Sequence, residues 1–192
     1  MKTTLRYAAR WVGLLALLGV VGCPFSPDKG KPDPVEPKFL ERTSPENLLA
    51  NLKTAYRERE AAEYESLLAK DFTFVLTPED AGQPGMPSQW GANTEIGIHQ
   101  QMFDADLVTY LSLDFVVGDR VFDDTDQLWT ITITDVDLSL RGMTPDHPTP
   151  KSYSVENGTS KFWFRQNDWT VPSTSDRIWS IVKWEDSPIE EG

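Results

Sequence analysis

The chain of 192 residues holds one cysteine and two histidines. A lone thiol cannot form an internal disulfide. His99 and His147 are far apart in sequence and have no second cysteine to join them, so they do not make a zinc spacing, and no metal is expected. Cofactor motifs are missing too. No glycine-rich loop suits a phosphate, and no serine stands in a nucleophile-elbow context. Basic residues are in deficit, with 18 Lys and Arg against 30 Asp and Glu, a formal charge of −12. An acidic surface disfavours nucleic acid and anionic membrane surfaces. Long hydrophobic runs are also lacking. Trp11 to Gly22 is an apolar stretch of about a dozen residues, short of the ~20 a spanning helix needs.

That short stretch is nevertheless informative. Lys2, Arg6 and Arg10 precede it, no acidic residue occurs before Cys23, and it closes on Val20-Val21-Gly22-Cys23. A positive start and a short apolar run are the marks of an export signal. The closing residues resemble the lipobox of bacterial lipoproteins, with Val20 where Leu is usual. The resemblance implies cleavage before Cys23 and acylation of its thiol and new amine. An ordinary secretory signal with an incidental Cys23 is the alternative. Each buried acyl methylene contributes ~0.8 kcal/mol, and more than one chain makes anchoring stable. Residues 1–22 are therefore read as signal peptide and residues 23–42 as lipidated Cys23 and a Pro-rich tether. Pro24, Pro27, Pro32, Pro34 and Pro37 recur there among few apolar residues, a composition that stiffens a chain but cannot fold it. Expected is a bacterial envelope protein, held to the membrane by its lipid and facing periplasm or exterior. Loss of the three basic residues takes the formal charge from −12 to −15.

Residues 43–187 are long enough for one domain, with residues 188–192 as an acidic tail. Ser44-Pro45-Glu46 is a helix start: a capping hydroxyl, a proline at the first helical position, and an acid at the positive dipole end. Leu48, Leu49, Leu52, Ala55 and Tyr56 follow at helical spacing, and after Arg57-Glu58-Arg59-Glu60 the stripe resumes with Ala61, Tyr64, Leu67 and Leu68. This reads as two helices or one kinked helix. Residues 71–76 alternate as a short strand. Residues 77–89 read as a loop, with Trp90 plugging into the domain. A third helix, capped by Asn93 or Thr94, is expected to turn Ile98, Met102 and Phe103 inward. In the extended stretch 108–117, Leu111, Leu113, Phe115 and Val117 share a face. In 128–140, Trp129, Ile131 and Ile133 hold one phase while Val136, Leu138 and Leu140 hold the other. A phase change inside a strand is what a β-bulge produces, which places a bend near Thr134-Asp135. Residues 141–151 read as a loop. Asn157-Gly158 admits a tight hairpin or a bulge in a continuous strand.

Asn51 to Glu60 and Tyr64 to Phe74 resemble the opening of nuclear transport factor 2-like domains. Phe162-Trp163-Phe164-Arg165 and Ile178 to Asp186 resemble their last two strands. The resemblance, of the SnoaL-like kind, implies an α+β fold: a cone-shaped, curved antiparallel sheet wrapped around N-terminal helices, with a cavity inside. It favours the bulge at Asn157-Gly158. It also implies a range of roles, from ligand or partner binding to polyketide cyclase, dehydratase and isomerase chemistry.

Candidate chemistry is sparse. His99 reads either as a general acid or base at the cavity mouth or as a partly buried helix residue. Asp135, at the suspected bulge, is the acid best placed to be re-aimed toward a site. Asp114 falls on the solvated face of its strand. Asp119, Asp123, Asp124 and Asp126 lack the glycine and distal glutamate of an EF-hand and read as a solvated turn. Tyr56, Trp90, His99, Phe115 and Trp129 are candidate ligand-lining residues, against core packing. Trp163 and Arg165 face the other side of the sheet and would form a partner patch if open. Two functions follow as expectations. One is a non-enzymatic tethered domain that binds a small apolar ligand or an envelope protein, with no cofactor. The other is an enzyme doing proton transfer on a small carbonyl compound.

Overall fold

The computed structural model describes residues 37–83, 85–144, 147–170 and 177–187. The signal, Cys23, most of the tether, the acidic tail and the side chain of His147 lie outside them. Helix α1 (Pro45–Glu58) begins as its capping residues dictate: Ser44 Oγ accepts from Asn47 N at 3.1 Å, and Pro45 opens the first turn. It ends at Arg59, whose left-handed φ of 57° turns its N–H back to the Ala55 and Tyr56 carbonyls. Helix α2 (Ala61–Leu67) follows at once, so the stripe is two helices.

Strand β1 (Leu68–Val75) starts ahead of the expected Asp71. The expected loop 77–89 contains a short helix, α3 (Pro78–Ala81), because Thr77 caps Asp80 N and Pro78 suits the first turn. Trp90 lies on strand β2 (Gln89–Gly91), not in a loop. Helix α4 (Ala92–Phe103) starts after Gly91, with no side-chain cap from Asn93 or Thr94. Four long strands complete the chain: β3 (Val108–Asp123), β4 (Leu128–Thr144), β5 (His147–Thr170) and β6 (Arg177–Ser187). Most of the expected loop at 141–151 is therefore strand. Backbone pairing of Gly142 with Lys151 and of Thr144 with His147 carries the ladder through its prolines.

The six strands run in the order β2-β1-β6-β5-β4-β3. The sheet is mixed, a correction to the all-antiparallel expectation: β1 and β6 pair in parallel. Such a pair needs a long crossover, and here nearly the whole domain supplies it. Helix α1 packs on both β6 and the edge strand β3, which lie three strands apart. Helix α1 lies closer to these two strands than to the β5 and β4 between them, as it does when a sheet curls around a helix.

The curl has visible hinges. Asp135 has φ 50° and Asn157 has φ 54°, and the β4–β5 register shifts between Ile133 and Val136. Val136 pairs with Gly158, so the two irregular residues stand side by side on neighbouring strands. The bend near Asp135 is where the phase change placed it, and Asn157-Gly158 is a bulge within a continuous strand. A Cβ at Gly158 would meet Val155 Cγ1 at 3.1 Å and Val136 Cβ at 3.3 Å. In β3, register shifts after Asp114 and Val117 break the expected single face: Phe115 is buried and Val117 is exposed.

Inside the curl, Leu48, Leu49 and Leu52 are fully buried against Phe72, Ile131, Phe162, Phe164 and Ile181. Cutting one such Leu to Ala costs about 2–5 kcal/mol. The opposite face carries a small cluster of Ala69, Trp163 and Val182. Lys161 and Lys183 lie over the Trp163 ring at 4.7 and 4.2 Å, which leaves it only 6% exposed. Ahead of α1, the Leu40 N–H and C=O each bond the buried Asn51 side chain at 2.8 Å, and Arg42 donates to the Ser66 carbonyl. Residues 38–42 thus lie against the domain.

Candidate functional site

Helix α4 turns Glu95, His99 and Phe103 into the core. These positions lie one above another on one side of a helix. Ile98 is 38% exposed, so the inward face is rotated from the one expected. A glutamate and a histidine tolerate this burial because their polar atoms find partners.

His99 Nδ1 lies 3.0 Å from the Glu95 main-chain oxygen. A carbonyl only accepts, so Nδ1 carries the ring proton and Nε2 presents a lone pair. The Tyr56 hydroxyl, 2.5 Å away, donates to it. Burial holds the His99 pKa at about 4, so the ring is neutral at ordinary pH. The Glu95 carboxyl takes the Tyr64 hydroxyl on Oε1 at 2.7 Å and the Trp90 indole N–H on Oε2 at 2.5 Å. Burial pushes the Glu95 pKa up, and those two donors pull it down. Burial also pushes both tyrosine hydroxyls well above their ordinary range. Tyr64 stacks on the His99 ring at 3.8 Å, with planes 14° apart. At 2% and 4% exposure, Glu95 and His99 are sealed inside.

Beside this network lies a cavity of about 510 Å³, within the ~300–1,000 Å³ range of small-molecule sites. Leu113 of β3, Val136 and Leu138 of β4, and Trp184 of β6 give it an apolar wall. Tyr56, Ser160 and Asp186 contribute polar atoms, joined by Thr77 and, from α3, Glu79 and Asp80. Asp186 Oδ1 accepts from Ser160 Oγ at 2.8 Å and Trp184 Nε1 at 3.0 Å. Burial pushes its pKa up, Ser160 and Trp184 pull it down, and the nearby charges of Glu95 and Asp80 push it up again.

Of the five ligand-lining candidates, only Tyr56 lines this cavity. Trp90 stacks on Phe74 at 4.6 Å and holds Glu95. His99 sits behind Tyr56. Phe115 is core, with Lys53 over its ring at 4.4 Å. Trp129 packs edge-on against Phe122 at 5.1 Å, under Arg120. Asp135 is exposed at its bulge and is not among the residues that line the cavity. Asp114 is exposed and paired with Lys53 at 2.6 Å, which lowers its pKa. Trp163 and Arg165 make no open patch: Trp163 lies under two lysines, and Arg165 forms a two-pronged pair with Asp71 at 2.6 and 2.9 Å. Asp123 caps its own turn through the Thr125 and Asp126 amides. Glu95, Tyr64 and Asp186 were not singled out from sequence. Two signals mark them: Glu95 stands one helical turn before His99, and Asp186 shares strand parity with Trp184. Among the described residues no helix is long and apolar enough to cross a membrane, and no acid, histidine or cysteine cluster could hold a metal.

Solved structures share this arrangement of helices and curved sheet. A conserved protein from Planctomyces limnophilus superposes with a TM-score of 0.51 at 12% identity, over 75% of this chain and 94% of that one. A protein described as NTF2-like, of unknown function in nutrient uptake, from Rhodospirillum rubrum gives 0.42 at 17% identity, over 74% and 95%. An NTF2-like protein from Cytophaga hutchinsonii gives 0.41 at 14% identity, over 74% and 93%. The domain has the nuclear transport factor 2-like fold. No protein-family model matches the sequence, and no curated protein does. At these identities the NTF2-like likeness concerns the fold alone, and function has to be argued from the cavity.

Proposed function

We propose that this chain is an envelope lipoprotein, anchored through Cys23, whose NTF2-like domain binds a small apolar ligand without transforming it. The observation that carries the reading is the cavity of about 510 Å³, with its wall of Leu113, Val136, Leu138 and Trp184. A protein partner has less support, because Trp163 lies under two lysines and Arg165 is already paired with Asp71. Native mass spectrometry of the purified chain is expected to show a non-covalent adduct, and Leu138→Trp, which fills the cavity, is expected to abolish it. An adduct that persists in a folded Leu138→Trp variant would move the ligand elsewhere.

A second reading has one observation in its favour. Asp186 is a carboxyl inside a largely apolar cavity, a setting in which an acid can take a proton next to a carbonyl. Deuterium uptake from solvent beside the carbonyl of a small ketone, lost in Asp186→Asn, would replace binding with catalysis.

A further inference from the structure

The cavity's hydrogen-bond polarity narrows its ligand further, given that the cavity binds one at all. Five hydroxyl-bearing residues line it, and three have spent their protons internally. The Tyr56 hydroxyl donates to His99 Nε2, because the Glu95 carbonyl fixes the ring tautomer. Ser160 donates to Asp186 at 2.8 Å, and Thr77 donates to Asp80 Oδ2 at 2.9 Å. The one lining indole, Trp184, also donates to Asp186. What the three hydroxyls keep for a visitor is lone pairs, while the indole N–H, which only donates, is already used. Three carboxyls, Glu79, Asp80 and Asp186, belong to the same lining, and no lysine, arginine or histidine does among the described residues. Asp186 Oδ1 is occupied by two donors, while Oδ2 has no hydrogen bond among the described residues. Tyr56 and Trp184 add aromatic rings, which also favour a cation.

We infer that the ligand is an amine: an apolar body carrying an ammonium head that donates to Asp186. A carboxylate or phosphate ligand would meet the like charge of three carboxyls, with only the Thr159 and Ser187 side chains left to donate to it. A neutral alcohol could give one hydrogen bond but would leave the carboxyls uncompensated.

Three probes of one shape test this by calorimetry on the purified full chain: 1-adamantylamine, 1-adamantanol and adamantane-1-carboxylate. The amine is expected to bind at least about tenfold tighter than the alcohol, the difference a charge-assisted hydrogen bond supplies, with the carboxylate weakest. Asp186→Asn is expected to bring the amine down to the alcohol's affinity. The ranking on the unaltered chain decides the matter whether or not that variant folds. Equal affinities, or a carboxylate that binds as well as the amine, overturn the amine assignment and leave the binding cavity standing. An amine preference that survives in a folded Asp186→Asn protein overturns the role of Asp186. Absence of binding by all three overturns the cavity reading and this one together.

Discussion

Glu95 and His99 are the residues whose substitution should be felt most, because each is buried with its polar atoms matched to single partners. Tyr64→Phe removes the donor to Glu95 Oε1 and keeps the ring stacked on His99. It is expected to destabilise the domain by about 1–3 kcal/mol in urea unfolding, the cost of an unmatched buried acceptor. Tyr110→Phe, on an exposed side chain, is expected to change nothing measurable. The His99 pKa moves from 6.5 unfolded to about 4 folded. Between those values the unfolded chain binds the extra proton, so this residue's contribution to stability is intact above pH 6.5 and is lost as pH falls toward 4. The shift corresponds to on the order of 3 kcal/mol. Glu95 and Asp186 are raised, and their contributions run the other way: present below the ordinary carboxylate range and lost as pH rises through their folded values. The pH slope of stability in the wild-type chain minus that in His99→Gln isolates the histidine. A difference of zero between pH 6.5 and 4.5 would contradict its neutral burial. His99 was legible as an unusual residue on α4. Its partner set was not, since Tyr56 and Tyr64, and the Trp90 that bonds the neighbouring Glu95, come from three other elements and only folding brings them together.

Among the elements, the bent strands are where sequence and structure speak most directly to each other. The inversion of apolar phase between Ile133 and Val136 located a hinge, and Asp135 supplies it with φ 50°. The same aspartate was the leading candidate acid, and its exposure outside the cavity assigns it to backbone geometry. Asp135→Gly is accordingly expected to stabilise the domain by about 1 kcal/mol or less, the relief of a left-handed residue offset by glycine's entropy, with ligand affinity unchanged. Thermal unfolding and the calorimetry above read both. Gly118 is the opposite case, since a Cβ there would sit 2.6 Å from the Thr132 carbonyl oxygen. Gly118→Ala is expected to cost about 1–3 kcal/mol by forcing β3 and β4 apart. What stayed hidden followed from local chemistry. Prolines at 145, 148 and 150 signalled a loop, whereas Pro148 and Pro150 lie within β5. Ile181 and Trp184 both face the core, because β6 shifts register against β5 between Trp163 and Phe164, and alternation alone does not reveal that.

At the scale of the molecule, the expected anchor and the docked residues 38–42 frame one prediction. Cys23→Ser is expected to move the chain from the membrane fraction to the soluble fraction. The wild-type mature protein is expected to carry acyl mass on Cys23, and recovery of an unmodified N-terminal thiol would remove the anchor from the proposal. The order of helices and strands was legible from helix capping, stripe spacing and strand phase, and the resemblance to nuclear transport factor 2-like domains supplied the cone. The cavity's acid was not, because nothing local separates Asp186 from its acidic neighbour Glu185, and its partners Ser160 and Trp184 are set only by strand pairing.

The placement of β6 has a consequence for how the protein is made. Strand β6, the last of the described strands in chain order, lies third in the sheet, between β1 and β5, and is the ladder that joins β1 and β2 to the long strands. Until Arg177–Ser187 emerges, the two halves have no shared ladder, and the sheet's contacts are distant in sequence, which slows folding. Before β6 pairs, only helix packing joins the β1–β2 ribbon to the long strands.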